Sequence, residues 1–387
     1  MQIKMRKLLA VLAAAATIGG MTVSVYSDDS AAAEETDWVA NLDFNTITSI
    51  KSQTFSNGAK ATLQATDNGW LPSETTELVQ DDGVQVLHFQ RLGNQLCGFD
   101  LNTLGALTGS QVVFSTTLRF AKLENDAFYH VAMINGSSWY YSFAITSDGS
   151  IRANYDRKTT SGLTTVSGGE TIANITLDQY NTLAMVYDLT NNKQFFYVNG
   201  IKTAELNGYK LGANIVNAPS DITRFKIETQ ASDGDVDVYI KNAQVYNSSE
   251  PIGAVKAPAF VGAQQSMSVD SYRIRFCATL DSLDYESVGF KIKAEYGEGQ
   301  TKDFDVKCRY LYTSLTALYD GQTVQVSASE FGAKYIYALS IDGVPTDTGA
   351  ITYIVTPYAV KDGYVISGNS FSVYHDSSDI GDIQSVE

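Results

Sequence analysis

The chain has 387 residues, enough for two β domains, and its 43 acidic against 27 basic side chains give a formal net charge of −16. An acidic surface repels phosphate backbones, so the charge argues against nucleic acid as a partner. The 23 tyrosines and 17 phenylalanines, against 6 prolines, are typical of strands, and three cysteines are too few for a disulfide scaffold.

A basic and then apolar segment opens the chain. Lys4, Arg6 and Lys7 precede the apolar run 8–25, and small residues at 30–33 follow it. This order predicts a secretory signal peptide over residues 1–33. No later stretch of the sequence is apolar enough for a membrane span. We therefore expect a secreted, extracellular protein, free or associated with the cell surface.

Short alternating runs of apolar and polar residues fill the sequence from 38 to 247, and no helical periodicity is sustained there. Turn dipeptides separate these runs. Asp148-Gly149 and Asn199-Gly200 suit two-residue hairpin turns, because Asn, Asp and Gly accept positive φ angles. Regular short strands joined by such turns predict a sandwich or jelly roll.

The strand pattern stops after residue 247. Pro251 and Pro258 among small and polar residues predict an exposed linker over 248–265. A second strand series predicts a smaller, immunoglobulin-like β-sandwich over 266–375. The acidic tail 376–387 consists mostly of Asp, Ser and Glu and has too little apolar content to form a core, so we expect it to be disordered.

Cys277 and Cys308 form the only attractive disulfide pair in the sequence. Cys277 alternates in phase with Arg275, whereas Cys308 alternates in phase with the apolar Val306. Because successive strand side chains point to opposite faces, the two thiols are predicted to lie on different sides of a sheet and to stay unpaired.

One hairpin carries the most specific pattern in the sequence. Leu183–Asp188 ends in Tyr-Asp, and after a polar turn Phe196–Gly200 ends in Val-Asn-Gly. This hairpin resembles the central hairpin of the concanavalin A-like (laminin G-like) superfamily, with similar opening, early and closing strands at 42–44, 84–89 and 236–246. The resemblance covers about residues 38–247 and implies a concanavalin A-like jelly roll. Residues 283–290 resemble a sandwich found in secreted Gram-positive bacterial proteins.

The superfamily implies glycan binding, polysaccharide hydrolysis or lyase chemistry, or protein adhesion. A hydrolase needs two carboxylates across the scissile bond, one of them protonated. The superfamily's glucanases take both from one strand of alternating Glu and Asp, which this sequence lacks. Glu124-Asn125-Asp126 and Asp235-Val236-Asp237 are predicted to be surface pairs. We therefore interpret the chain as a non-catalytic carbohydrate-binding or adhesion protein; the alternatives are a polysaccharide-active enzyme and a structural cell-surface protein.

Metal sites have little support in the sequence. Three histidines lack zinc spacing and are predicted to be ordinary strand residues: His88, His130 and His375. Many relatives bind a structural calcium ion where the first and last strands meet, which makes Asp43 and Asn45 the calcium candidates. Lys241, at a position where relatives often carry Asp, opposes a cation there.

The glycan-binding face is predicted from one hairpin. If Asp148-Gly149 is a two-residue turn, Ile145 lies opposite Arg152, and aromatic and polar side chains share one face. Such a mixture recognises sugars, because rings pack on C–H groups while polar groups bind hydroxyls. The candidates are Trp139, Tyr141, Phe143, Arg152, Asn154 and Asp156. The alternative is that the three aromatic residues belong to the core, and a three-residue turn would shift the register and remove this face.

Overall fold

A computed structural model describes most of the chain after residue 35. The described residues are 36–48, 53–54, 60–62, 76–91, 98–102, 110–124, 129–135, 138–153, 156–160, 163–167, 170–191, 193–207, 209–211, 214–216, 224–229, 235–267, 271–319, 322–345, 349–376 and 384–386. They are almost all strand or turn, which confirms the all-β class. Two compact units meet in the sequence between Val255 and Lys256.

The first unit contains twenty of the described strands. In chain order they are β1 (Asp37–Asp43), β2 (Gln53–Thr54), β3 (Lys60–Thr62), β4 (Thr76–Asp81), β5 (Val84–Arg91), β6 (Gly98–Asn102), β7 (Gln111–Leu123), β8 (Tyr129–Asn135), β9 (Ser138–Ile145), β10 (Ser150–Ala153), β11 (Asp156–Thr160), β12 (Leu163–Ser167), β13 (Glu170–Asn174), β14 (Asn181–Asp188), β15 (Lys193–Val198), β16 (Ile201–Asn207), β17 (Tyr209–Leu211), β18 (Asn214–Val216), β19 (Arg224–Thr229) and β20 (Val236–Asn247).

Two eight-stranded antiparallel sheets form the body of this unit. Sheet A has the order β16-β15-β14-β7-β20-β5-β4, with β1 beside β20, and sheet B has the order β13-β10-β9-β8-β19-β6-β3-β2. Their inner faces share one core, in which Phe114 of sheet A stacks on Phe225 of sheet B at 4.8 Å between ring centroids. The described core residues alternate along their strands with residues of the outer faces, so the unit is a β-sandwich.

The turn at Asn199-Gly200 has the predicted two-residue form. Val198 pairs with Ile201, and the φ angles of Asn199 and Gly200 are 51° and 79°. Both central residues therefore have the left-handed conformation that this hairpin turn requires.

The segment predicted to be a linker instead packs on the first unit. Tyr246 Oη accepts a hydrogen bond from the Ile252 N–H at 2.7 Å, and the Val255 N–H donates to the Gly200 carbonyl at 2.7 Å. Pro251 is buried. Residues 248–255 thus form a strap on the outer face of sheet A. The linker prediction is wrong for 259–265 as well, because the next strand begins at Ala259.

The second unit contains eleven described strands and two short 3-10 turns. They are β21 (Ala259–Met267), β22 (Ser271–Leu280), β23 (Ser287–Tyr296), a 3-10 turn (Gly297–Gly299), β24 (Thr301–Cys308), β25 (Ser314–Tyr319), β26 (Gln322–Ser327), a 3-10 turn (Ala328–Phe331), β27 (Tyr335–Pro345), β28 (Ala350–Lys361), β29 (Tyr364–Ser367), β30 (Phe371–Asp376) and β31 (Gln384–Val386). The acidic tail predicted to be disordered contributes β31, which pairs with β30.

Two larger sheets enclose the core of the second unit. One has the order β21-β22-β27, and the other has the order β24-β23-β28-β30-β31 with β29 beside β28. Phe276 from the first sheet meets Tyr353 from the second edge to face at 5.6 Å. The hairpin β25-β26 forms a separate two-stranded sheet.

The two thiols of the second unit are free. Cys277 packs with Ile336 in a small cluster, whereas Cys308 packs against the main core and lies 3.5 Å from the Ala338 carbonyl oxygen. Alternate residues of β27 belong to these two clusters, so the three-stranded sheet separates the thiols, as the strand phase predicts. Burial raises the pKa of both thiols to about 12.

Candidate functional site

The hairpin predicted to carry the glycan site has a different register from the expected one. Ile145 pairs with Ile151, so Arg152 lies opposite Ala144. The Thr146 N–H donates to the Ser150 carbonyl at 3.0 Å across a three-residue turn. The predicted two-residue turn, and every pairing derived from it, is therefore wrong.

Side-chain hydrogen bonds explain the longer turn. Asp148 Oδ1 accepts from Thr146 Oγ1 at 2.5 Å and from the Ser150 N–H at 2.9 Å. These bonds lower the pKa of Asp148 to about 2, the Thr146 bond most. Only Gly149 needs a positive φ, 81°. An Asp side chain that bonds its own turn in this way stabilises a loop that backbone turn statistics alone do not predict.

The predicted glycan-binding residues do not form one face through that hairpin. Phe143 is 2% exposed and meets Phe196 edge to face at 5.7 Å, so it belongs to the core, as the alternative reading held. Arg152 is half-buried in β10, and Asp156 begins β11, which pairs with β12 rather than with β9. Within β9, Trp139 and Tyr141 pair with Ile134 and Met133 of β8, and their side chains lie outside the described part. Asn154 also lies outside the described residues.

The calcium candidates bind protein groups. Asp43 Oδ1 accepts from the Asn45 N–H at 2.9 Å, and Asn45 Oδ1 accepts from the Gln85 N–H at 3.1 Å. In the described part of the chain, no three His, Cys, Asp or Glu side chains lie close enough together to hold a metal ion. Calcium binding at this position stays a prediction.

The outer face of sheet A carries a row of side chains that the sequence analysis did not bring together as a site. Along β20, Val238 and Ile240 enter the core, so Asp237, Tyr239 and Lys241 lie on the other face. The register places His88 of β5 on one side of Tyr239 and Arg119 of β7 on the other. The row therefore follows from strand periodicity combined with strand order.

These side chains stack on one another. The His88 and Tyr239 rings are 4.4 Å apart and nearly parallel, with 23° between their planes. The Arg119 guanidinium lies 4.0 Å from the Tyr239 ring centroid and 5.6 Å from that of Tyr180, and the Lys241 ammonium lies 3.8 Å from the Tyr180 centroid. Cation–ring contacts of this kind each contribute about 0.5–2 kcal/mol. We call His88, Tyr239, Arg119, Tyr180 and Lys241 the stacked row.

Asp81 anchors the middle of the stacked row. Arg119 donates to its two carboxylate oxygens at 2.9 and 2.7 Å, and Tyr180 Oη donates at 2.5 Å. The side chains of Asp81 and Arg119 are each 20% exposed. The hydrogen bond from Arg119 is the largest cause of the lowered pKa of Asp81, and burial raises the pKa of Tyr180. Arg119 is therefore fixed by a two-point ion pair below the solvent surface.

A second network fixes the His88 end. His88 Nε2 lies 2.8 Å from Asp237 Oδ1, and Gln90 Nε2 donates to the other oxygen of Asp237 at 2.9 Å. Glu77 Oε1 lies 3.6 Å from His88 Nδ1. His88 therefore has a carboxylate on each side, which holds its ring in the plane that stacks on Tyr239.

Of the other carboxylates singled out in the sequence, Glu124 and Asp235 share an exposed lysine, and Asp126 lies outside the described residues. Lys122 Nζ lies 2.9 Å from Glu124 Oε1 and 2.8 Å from Asp235 Oδ2. These two residues are thus surface groups, as predicted, although each meets a lysine rather than its sequence neighbour. Among the described carboxyl groups with a resolved pKa shift, all four shifts are downward: Asp81, Asp148, Asp188 and Glu205. At neutral pH these groups accept hydrogen bonds.

The stacked row offers a rigid set of hydrogen-bonding edges. Half-buried imidazole, phenol, guanidinium and ammonium groups follow each other across four neighbouring chain segments. Carboxylates fix His88, Arg119 and Tyr180. Fixed groups lose little conformational freedom when a ligand binds. A hydroxyl-rich ligand lying across the sheet can donate to and accept from such edges.

Sequence reasoning missed His88 and Arg119. Two signals were available, since His88 and Gln90 alternate with core residues in β5, and Asp237, Tyr239 and Lys241 alternate in β20. Each alternation predicts an outer polar face. Neither pattern shows that β5 and β20 are neighbours in the sheet, and it is this pairing that brings His88 beside Tyr239 and Asp237.

No protein-family model matches the chain, and no curated protein matches it. Among solved structures, the chain is similar to a sialidase, with 12% identity, a TM-score of 0.37 and a match over 55% of this chain. It is also similar to the Trypanosoma rangeli sialidase in complex with sialic acid, with 14% identity, a TM-score of 0.35 and a match over 54% of this chain. It spans only 19% and 30% of the length of these two proteins.

A second group of similar structures covers more of the chain. The botulinum neurotoxin serotype D/C binding domain is 10% identical with a TM-score of 0.37, and 90% of this chain covers 92% of that one. Botulinum neurotoxin type C, described as dependent on two ganglioside molecules to enter cells, is 10% identical with a TM-score of 0.39. The match covers 89% of this chain and 87% of that one. At these scores no family or function follows. In the described residues no helix is long and apolar enough to cross a membrane.

Proposed function

We propose that the protein is a secreted, non-catalytic carbohydrate-binding or adhesion protein that holds an extracellular glycan on the stacked row. The proposed arrangement is a cleaved signal peptide over residues 1–33, a concanavalin A-like jelly roll in the first unit, and an immunoglobulin-like sandwich in the second. The second sandwich would serve as a spacer or a further binding module.

One observation carries this proposal, namely the ordered stack of ring and cation side chains on the outer face of sheet A. Its geometry is better suited to binding a glycan than to catalysing glycan cleavage. Asp81 and Asp237 both accept hydrogen bonds from neighbouring side chains, and the pKa of Asp81 is lowered, whereas a glycosidase needs one carboxyl group with a raised pKa. Glycan hydroxyls need fixed donors and acceptors, which the row supplies.

The test uses a variant that keeps the stack but removes its polar edge. In His88→Phe the ring remains beside Tyr239 while both ring nitrogens are lost. Asp237 and Glu77 then lose the group that holds them in place, so the polar edge of the row is no longer fixed and binding should weaken without unfolding. Gln244→Ala is the matched control, because Gln244 lies on the same strand and is bonded to Asn41 at the opposite end of the sheet face. Both variants should keep the far-UV circular dichroism spectrum of the parent.

The assay is a glycan array followed by titration calorimetry on the best ligand. We expect His88→Phe to lose about tenfold in affinity, or 1.4 kcal/mol, and Gln244→Ala to bind like the parent. The proposal fails if no glycan binds, or if His88→Phe binds as tightly as the parent. Release of reducing ends or unsaturated sugars from a polysaccharide panel would instead support the enzyme reading.

A further inference from the structure

Lys241 occupies an irregular position in β20. The register with β7 shifts between Ile240 and Asn242, so Lys241 is the extra residue of a β-bulge. Asn242 closes the bulge, because its Oδ1 accepts from the Thr117 N–H at 3.0 Å. A bulge re-aims the side chain of its extra residue and is common beside binding sites. The bulge therefore sets the direction of the Lys241 side chain, and the bond between Asn242 and Thr117 holds the bulge in place.

The ammonium of Lys241 has a ring beneath it and no carboxylate beside it. It lies 3.8 Å from the Tyr180 ring centroid, and no described Asp or Glu side chain lies within salt-bridge distance of it. Lys202 makes a similar cation–ring contact, because its ammonium lies 4.3 Å from the centroid of the Phe195 ring. It also binds Glu205 at 2.8 Å. Two lysines thus share the same contact with an aromatic face, and of the two only Lys202 also contacts a described carboxylate.

Among the described residues, the ammonium of Lys241 has no carboxylate in direct contact. Lys241 lowers the pKa of Asp81 through space, and Asp81 is already bound to Arg119 at two points and to Tyr180. In a chain whose net charge is −16, a half-buried cation without a neutralising partner marks a place where an anion is favoured.

We propose that Lys241 binds the anionic group of an acidic glycan. This inference rests on the proposed function and narrows it to polysaccharides that carry carboxylate or sulfate groups. The ammonium is a compact point charge with three rotatable donors, so it accepts either anion without the fixed geometry that an arginine would impose. The Tyr180 ring holds the ammonium in place, and the neighbouring edges of the stacked row bind the hydroxyls of the same sugar.

The experiment compares three polysaccharides of similar size: dextran as the neutral probe, polygalacturonate as the carboxylate probe and chondroitin sulfate as the sulfated probe. Binding is measured by biolayer interferometry at low and at high salt with the parent, Lys241→Gln and Lys202→Gln. Glutamine keeps the hydrogen-bonding capacity and removes the charge in both variants. Lys202 is the matched control, because its ammonium lies against an aromatic ring in the same way but is already bound to the Glu205 carboxylate.

We expect the parent to bind at least one acidic probe about tenfold more tightly than dextran, with a preference that declines at high salt. Lys241→Gln should bind that probe only as well as dextran, whereas Lys202→Gln should keep the preference. The carboxylate and sulfate probes show which anion is favoured. Equal binding of dextran and both acidic probes, or a preference retained in Lys241→Gln, overturns the charge inference alone. Failure of all three probes and of the glycan array overturns the proposed function with it.

Discussion

Asp81→Asn is the substitution that separates the stacked row from its anchor. Asparagine has the size of aspartate, so packing is preserved while the charge that faces Arg119 is removed. The guanidinium then lies between two tyrosine rings without its ion-pair partner, and Tyr180 Oη loses its anionic acceptor. We expect the free energy of unfolding to decrease.

The size of the decrease follows from burial. An exposed ion pair contributes about 0–1 kcal/mol, and breaking a fully buried one costs about 3–5 kcal/mol. Asp81 and Arg119 are each 20% exposed, and the pair has two hydrogen bonds. We therefore expect a loss of about 2 kcal/mol for Asp81→Asn, between these limits.

The assay is urea denaturation of both proteins over a range of pH, with Glu205→Gln as the control. Glu205 also binds two cations, Lys193 and Lys202, but it is 39% exposed, so its replacement should change stability by less than about 1 kcal/mol. An equal decrease in the free energy of unfolding for the two variants would refute the reasoning, because burial would then not explain the stabilising contribution of the Asp81–Arg119 pair.

The pH dependence supplies a second check on the same pair. The pKa of Asp81 is lowered in the folded protein, so its stabilising contribution is present above the unfolded value and is lost as the pH falls through the folded value. The stability difference between the parent and Asp81→Asn should be complete above about pH 5 and shrink below about pH 4. A difference that stays constant down to low pH would contradict this.

Two further predictions concern stability. Gln194 is fully buried beside Tyr187, and neither polar atom of its amide has a partner in the described structure, so Gln194→Met should raise the free energy of unfolding by about 1–3 kcal/mol in urea denaturation. A Cβ on Gly200 would lie 2.2 Å from the Gly253 carbonyl oxygen, so Gly200→Ala should displace the strap and lower the melting temperature more than Gly83→Ala.

Each of these has its own control. Gly83 has the same φ of 79° as Gly200 and no atom within 4 Å of its Cβ position, so the difference between the two alanine variants isolates the strap contact from the turn strain. Equal melting temperatures for the two variants would show that the strap contributes nothing. Unchanged or reduced stability in Gln194→Met would show that the amide is satisfied in the folded protein.

Local chemistry made part of the fold predictable. The alternation of Val238, Tyr239 and Ile240 is enough to predict a strand with one apolar face, and Asn199-Gly200 is enough to predict a tight hairpin, because both properties depend on neighbouring residues only. The phase of Cys277 was readable for the same reason.

Properties that depend on partners far along the chain were not predictable. The period of two shows that β9 has two faces, but only the packing of Phe143 against Phe196 shows which face is the core. The turn before Ser150 is one residue longer than the dipeptide suggests, because the Asp148 carboxylate bonds to its own loop. One residue of register moves every side chain to the other face, which removed the predicted binding face.

The amino-acid sequence by itself determined that this protein is built from antiparallel strands and which residues of each strand share a face, since backbone geometry sets that period. Only the tertiary structure brought His88 beside Asp237, 149 residues away, and placed Arg119 between two tyrosines from other parts of the chain. Strand order decided this. It is settled by which apolar faces pack together across the whole sandwich, and no local pattern specifies it.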